Sequence, residues 1–200
     1  IPFATKVCCN FPETVSELPA NKAVLTGTPI RQELLEGSPE RAREFTGFTS
    51  DKPVIMIIGG SLGAAAVNDA VRAVLHELLK NFQIIHLCGK GKLDESLKNT
   101  KGYVQYEYIK KELADLFALA DIVISRAGAN AICELSALKK PNLLIPLSAR
   151  ASRGDQILNA RSFERMGYSV VLEEEEITNE KLVETINSLY KERAAYTEAM

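Results

Sequence analysis

The sequence predicts an α/β fold, a doubly wound Rossmann-like parallel sheet with helices on both faces. Three observations carry it. From Pro53 onward, strand-like runs alternate with helix-like stretches. The runs are apolar on consecutive positions, as in strands covered on both faces. Several of them end at glycine, where a strand turns into a helix. A length of 200 residues suits one such domain with a lead-in segment.

Taken in order, Thr5–Cys9 and Lys22–Leu25 are short apolar runs, and the turn Thr26-Gly27-Thr28-Pro29 separates them from a polar stretch, Arg31 to Ser50, with helical segments. Residues 1–50 are expected to form a lead-in packed on the same domain as residues 51–200. Val54-Ile-Met-Ile-Ile58 is a buried strand closed by Gly59-Gly60, and Val67, Val71, Val74, Leu75, Leu78 and Leu79 then fall on one face of a helix ended by Asn81. The alternation continues through strand Gln83–Cys88, a helix around Lys92–Lys98, strand Tyr103–Tyr106, helix Glu112–Leu119, strand Ile122–Ser125, helix Asn130–Leu138 and strand Asn142–Ile145. It ends with helix Asp155–Met166, strand Ser169–Leu172 and a helix capped by Thr178 that runs through Lys181 to Tyr190. Glu173–Glu176 is acidic but too short to be a tail.

Composition narrows the function. The formal charge is −2, and no Lys/Arg stripe marks a nucleic-acid partner. No apolar run approaches the ~20 residues that cross a bilayer, and no signal segment opens the chain, which reads as cytoplasmic. Cys8, Cys9, Cys88 and Cys133 lack C-x-x-C spacing and read as buried, reduced thiols. His76 and His86 lack ligand partners at metal spacing, so no metal is expected and both read as structural, with His76 at a helix surface. The chain opens on Ile1 in what reads as mid-protein, so it is expected to be a fragment.

In open α/β sheets ligands bind beyond the carboxyl ends of the strands. Four loops there are unusual. Gly59-Gly60-Ser61-Leu62-Gly63-Ala64 permits close backbone approach ahead of a helix N-terminus, a setting for an anion. Ser125-Arg126-Ala127-Gly128-Ala129-Asn130 does the same and is followed by Glu134, whose carboxylate can accept from two vicinal hydroxyls. The long loop from Ser148 to Asp155-Gln156 ends in an acceptor and an amide that together can read sugar hydroxyls. Thr26 to Arg31 is a rigid turn bearing a guanidinium suited to phosphate.

With these motifs in family order, the chain resembles the C-terminal half of a two-domain GT-B glycosyltransferase, specifically the MurG family. The residues carrying the resemblance are Thr26-Gly-Thr-Pro-Ile-Arg31, Gly59-Gly-Ser-Leu-Gly-Ala64, Ala120-Asp-Ile-Val-Ile-Ser-Arg-Ala-Gly128 with Glu134, and Asp155-Gln156-Ile-Leu-Asn159-Ala160. The resemblance implies a UDP-N-acetylglucosamine donor bound by residues 51–200. It implies an acceptor that is a lipid-linked muramoyl-pentapeptide, bound by an N-terminal domain expected to be absent from this chain. It further implies that Arg31 and Ser61 contact the diphosphate and that Ala129, Asn130 and Ala131 present backbone groups to it. Ile109 would serve uracil, Glu134 the ribose, and Asp155 with Gln156 the sugar. The reaction implied is an inverting displacement without cofactor, at the cytoplasmic face of the cell membrane, and no catalytic base is identifiable in this chain. Asp155 and a longer loop before it depart from the family pattern. Two other readings remain: another UDP-sugar enzyme of the same architecture, such as a 2-epimerase, and a non-catalytic nucleotide-binding domain.

Overall fold

The computed structural model describes residues 1, 3–60, 64–149 and 154–200. Strands β3 (Val54–Ile58), β4 (Gln83–Leu87), β5 (Tyr103–Tyr106), β6 (Ile122–Ser125), β7 (Asn142–Leu144) and β8 (Ser169–Val171) form a six-stranded sheet. Their order is β5-β4-β3-β6-β7-β8 and every neighbouring pair is parallel, the doubly wound arrangement expected. The sequence turns from one half of the sheet to the other between β3 and β6. Gly59, Gly60 and Gly128 line one cavity at that switch point.

Alternation within each strand explains the layers. Val54 and Met56 of β3 join Val123 and Leu144 beneath α2 (Pro39–Thr46), α5 (Leu113–Leu119), α6 (Ala129–Ala137) and α7 (Asp155–Arg165). Ile55 and Ile57 face the other way, with Ile122, Ile124 and Leu143, beneath α3 (Ala65–Ala73), α4 (Leu75–Leu78) and α8 (Asn179–Ala199). Both faces are therefore covered, which is why these strands read as unbroken apolar runs.

Before the sheet, β1 (Val7–Cys9), α1 (Pro12–Ser16) and β2 (Ala23–Leu25) make a separate two-stranded parallel unit. It rests on α7 through Phe11 against Phe163, with ring centroids 6.2 Å apart, and through Glu13, which accepts from Ser162 at 2.9 Å and pairs with Arg165. α2 is tied to α5 by Arg41, which donates to Asp115 at 2.6 Å.

Four local expectations need correction. The helix expected over residues 67–79 breaks at Val74 (φ −108°, ψ 8°), leaving α3 and the single turn α4. The helix expected around Lys92–Lys98 is only a 3-10 turn, Glu95–Leu97; Gly89 and Gly91 adopt positive φ before it, and Asp94, which caps Ser96 N–H, sets its late start. The final helix continues nine residues past Tyr190, to Ala199. Of the cysteines, Cys9 and Cys88 are buried, but Cys8 is exposed on β1 and Cys133 is half-buried.

Candidate functional site

Two cavities open at the switch point. One, of 440 Å³, is bounded by Arg31, Tyr108, Ile109, Asn130, Ala131 and Glu134. The other, of 660 Å³, is bounded by Gly59, Arg126, Gly128, Leu147, Gln156 and Glu174. Ile58, Gly60 and Ala131 belong to both walls, so the cavities meet at the end of β3 and the first turn of α6.

The junction suits an anion. In α6 the first intrahelical bond runs from Ile132 N–H to Gly128 C=O at 3.1 Å, so the N–H groups of Ala129, Asn130 and Ala131 have no intrahelical acceptor, and no side chain caps them. α3 begins likewise, uncapped at Ala64, with its first bond from Asn68 N–H to Ala64 C=O at 2.8 Å. Both helix starts add partial positive charge. Gly60 needs glycine for its φ of +82°. Gly128 does not: φ is −69°, and a Cβ placed there meets nothing within 4 Å. The space in front of Gly128 is therefore not set by protein packing.

Arg31 and Glu134, 103 residues apart, form a bidentate pair: Nε donates to Oε1 at 2.9 Å and a terminal nitrogen to Oε2 at 3.2 Å. The Glu134 hydrogen bonds hold the Arg31 guanidinium above its ordinary pKa. A carboxylate offers about four acceptor positions, so Glu134 keeps capacity for vicinal hydroxyls beside this pair. Tyr108, 65% exposed, stands at the same cavity and offers an aromatic face.

The second cavity is braced across strand ends. One Arg126 terminal nitrogen donates to the carbonyls of Ile145 (3.1 Å) and Pro146 (3.0 Å) and to Glu174 Oε2 (2.5 Å). Leu147 N–H donates to Gln156 Oε1 at 3.1 Å, and Asn159 Nδ2 donates to Ala127 C=O at 3.1 Å, locking α7 to the loops after β6 and β7. Arg126 is thus a structural brace in the wall of the second cavity.

Of the residues singled out by sequence, Arg31, Ile109, Asn130, Ala131 and Glu134 meet at one cavity and Gln156 at the other, while Ala129 heads α6 between them. Ser61 lies outside the described residues. Asp155 is exposed and is not in either wall, which separates it from Gln156, with which it was expected to read the sugar; the N-cap of α7 is Gly154 (φ +82°), and Asp155 is its first helical residue. Sequence reasoning passed over Tyr108 and Glu174, although both follow strands on the ligand side of the sheet. His86 is structural: its ring bridges the Tyr103 hydroxyl (2.8 Å) and Asn68 Oδ1 (3.0 Å) within the core. No group of three or more metal-ligating side chains occurs among the described residues.

Two bare helix starts lining one cavity at the switch point of a parallel six-stranded sheet define a doubly wound α/β domain. The chain belongs to the glycosyltransferase family 28 C-terminal domain family, which it matches over residues 54–200. It is 64% identical over 193 residues to the UDP-N-acetylglucosamine--N-acetylmuramyl-(pentapeptide) pyrophosphoryl-undecaprenol N-acetylglucosamine transferase of Lachnospira eligens, covering 96% of this chain and 54% of that protein. The transferase of the same name from Lachnoclostridium phytofermentans is 64% identical over 200 residues, 100% of this chain and 56% of that one. The crystal structure of Acinetobacter baumannii MurG superposes with a TM-score of 0.73 at 26% identity, covering 99% of this chain and 55% of that one. The chain spans about half the length of the curated relatives it matches.

Proposed function

We propose that this chain is the donor-binding part of an inverting glycosyltransferase that moves N-acetylglucosamine from UDP-N-acetylglucosamine to a lipid-linked muramoyl-pentapeptide. The observation that supports this reading is the pair of cavities joined at the α6 N-terminus. The names of the relatives supply the substrates. In this reading uracil lies against Ile109 and Tyr108, the ribose hydroxyls donate to Glu134, and the diphosphate sits at the N–H groups of Ala129, Asn130 and Ala131. Ser61 joins the diphosphate contacts by resemblance. The sugar occupies the larger cavity beside Gln156, with Asp155 at its rim.

Transfer proceeds by attack of a muramoyl hydroxyl on the anomeric carbon as UDP departs. Two helix N-termini and Arg31 meet the charge developing on the leaving diphosphate, which lowers the barrier because these dipoles are oriented beforehand. The base and the lipid acceptor's contacts belong to the remaining half of the full-length protein. That protein works at the cytoplasmic face of the membrane as a peripheral enzyme; among the described residues no helix is long and apolar enough to cross a bilayer.

Titration calorimetry with UDP, UDP-N-acetylglucosamine and 2′-deoxy-UDP tests the reading, paired with a transfer assay on lipid-linked acceptor. The expected result is binding of both UDP ligands, weaker binding of the deoxy nucleotide, and no turnover by this chain alone. No affinity for either UDP ligand, or turnover by the isolated chain, would overturn it.

A further inference from the structure

We propose that Glu174 is a further donor-contacting residue, a carboxylate fixed by Arg126 that accepts a hydroxyl of the transferred sugar. The inference rests on the donor-site reading above and adds a residue to it.

Glu174 follows β8 in a 3-10 turn, Glu174–Glu176, and its side chain is 25% exposed in the wall of the 660 Å³ cavity. Arg126, 12% exposed, holds Oε2 at 2.5 Å while also holding the carbonyls of Ile145 and Pro146. Because the same guanidinium nitrogen is held by two backbone carbonyls, it fixes the carboxylate that it pairs with against the strand ends. Its Oε1 has no hydrogen-bond partner among the described residues. An ionised carboxylate is acceptor-only, so what it lacks is a donor.

Gln156 in the same wall provides the complement. Leu147 N–H occupies its Oε1, which leaves the Nε2 amide to donate. A hydroxyl both donates and accepts, so a polyhydroxylated neutral group satisfies both residues together. An ionised phosphate does not, since its oxygens only accept and Glu174 needs a donor; a neutral sugar therefore suits this cavity and the anion suits the helix starts at the junction. Asp155, the carboxylate adjacent to Gln156 in sequence, is exposed and outside this wall.

The test is calorimetry of the 200-residue chain and its Glu174→Ala and Glu174→Gln variants with UDP and with UDP-N-acetylglucosamine, alongside thermal denaturation. Glu174→Ala should leave the UDP Kd within about twofold and raise the UDP-N-acetylglucosamine Kd about ten- to a hundredfold, the scale of a charge-assisted hydrogen bond. Glu174→Gln keeps an acceptor oxygen and should lose less. It also preserves the measurement if the alanine variant does not fold. Equal Kd changes for both nucleotides, or none for either, would overturn the proposal and leave the donor site standing. A wild-type chain that binds neither nucleotide removes the donor reading and this inference with it.

Discussion

The two ends of the sheet treat their polar groups differently. At the amino ends side chains tie the strands to other parts of the chain: Asp121 accepts from Val54 N–H at 2.7 Å, Lys140 donates to the Ala118 and Ala120 carbonyls, and Asn142 donates to Lys140 C=O. At the carboxyl ends around the switch point, α3 and α6 start without a capping side chain. α8 also starts beyond a carboxyl end and is capped by Thr178, whereas α5 and α7 start uncapped as α3 and α6 do; what sets the switch point apart is that two bare starts line one cavity there. The lesson is a division of labour: side-chain bonds to backbone hold the fold at one end, and uncapped helix N–H groups are left open at the other.

The strongest way to break this contrast is to cap α6. Gly128→Asp meets open space and a permissive φ, so it should leave Tm unchanged or about a degree higher. Its charge would occupy the diphosphate position, and UDP affinity should fall about a hundredfold or more by calorimetry. Unchanged UDP binding would refute the anion site.

Next in size, Glu134→Ala should weaken UDP about ten- to a hundredfold while shifting stability by less than about 1 kcal/mol, because its partner Arg31 is 47% exposed. The same variant should lose most discrimination against 2′-deoxy-UDP. A variant that melts early yet binds UDP normally would make Glu134 a structural residue.

A third prediction concerns the core between the two ends. Burial, with a smaller contribution from Arg72, pushes His86 down from 6.5 to about 3. The unfolded chain therefore binds a proton that the folded chain refuses. Stability from this site is complete above pH 6.5 and is lost as pH falls from 6.5 toward 3. Chemical denaturation should register a loss of about 2 kcal/mol between pH 6.5 and 4.5, and His86→Gln should flatten that slope. An equally steep slope in the variant would assign the acid sensitivity elsewhere.

The smallest effect tests the amino ends. Asp121→Ala leaves the Val54 N–H without its carboxylate and should cost about 1–2 kcal/mol, a Tm loss of several degrees, with UDP affinity unmoved. Lowered UDP affinity at unchanged Tm would show that the division between the ends is not clean.

The sequence by itself determined the six strands of the main sheet, the helix that follows most of them, and which loops matter, because burial on both faces and glycine at strand ends are local signals. It also singled out Arg31, Glu134 and the pair Asp155 and Gln156 by residue type at those loops, of which Asp155 lies outside both cavity walls, while Asn130 came from the family resemblance. What only the tertiary structure decided is partnership. Arg31 meets Glu134 across 103 residues, Arg126 gathers three strand ends, and Glu174 enters the cavity wall while Asp155 faces out. The break at Val74 and the single 3-10 turn at Glu95–Leu97 were likewise invisible to apolar spacing, which counts faces but not where the backbone leaves the helix. Periodicity records whether a residue is buried; which residue it touches depends on strand order, and strand order follows from packing the two faces of the sheet at once.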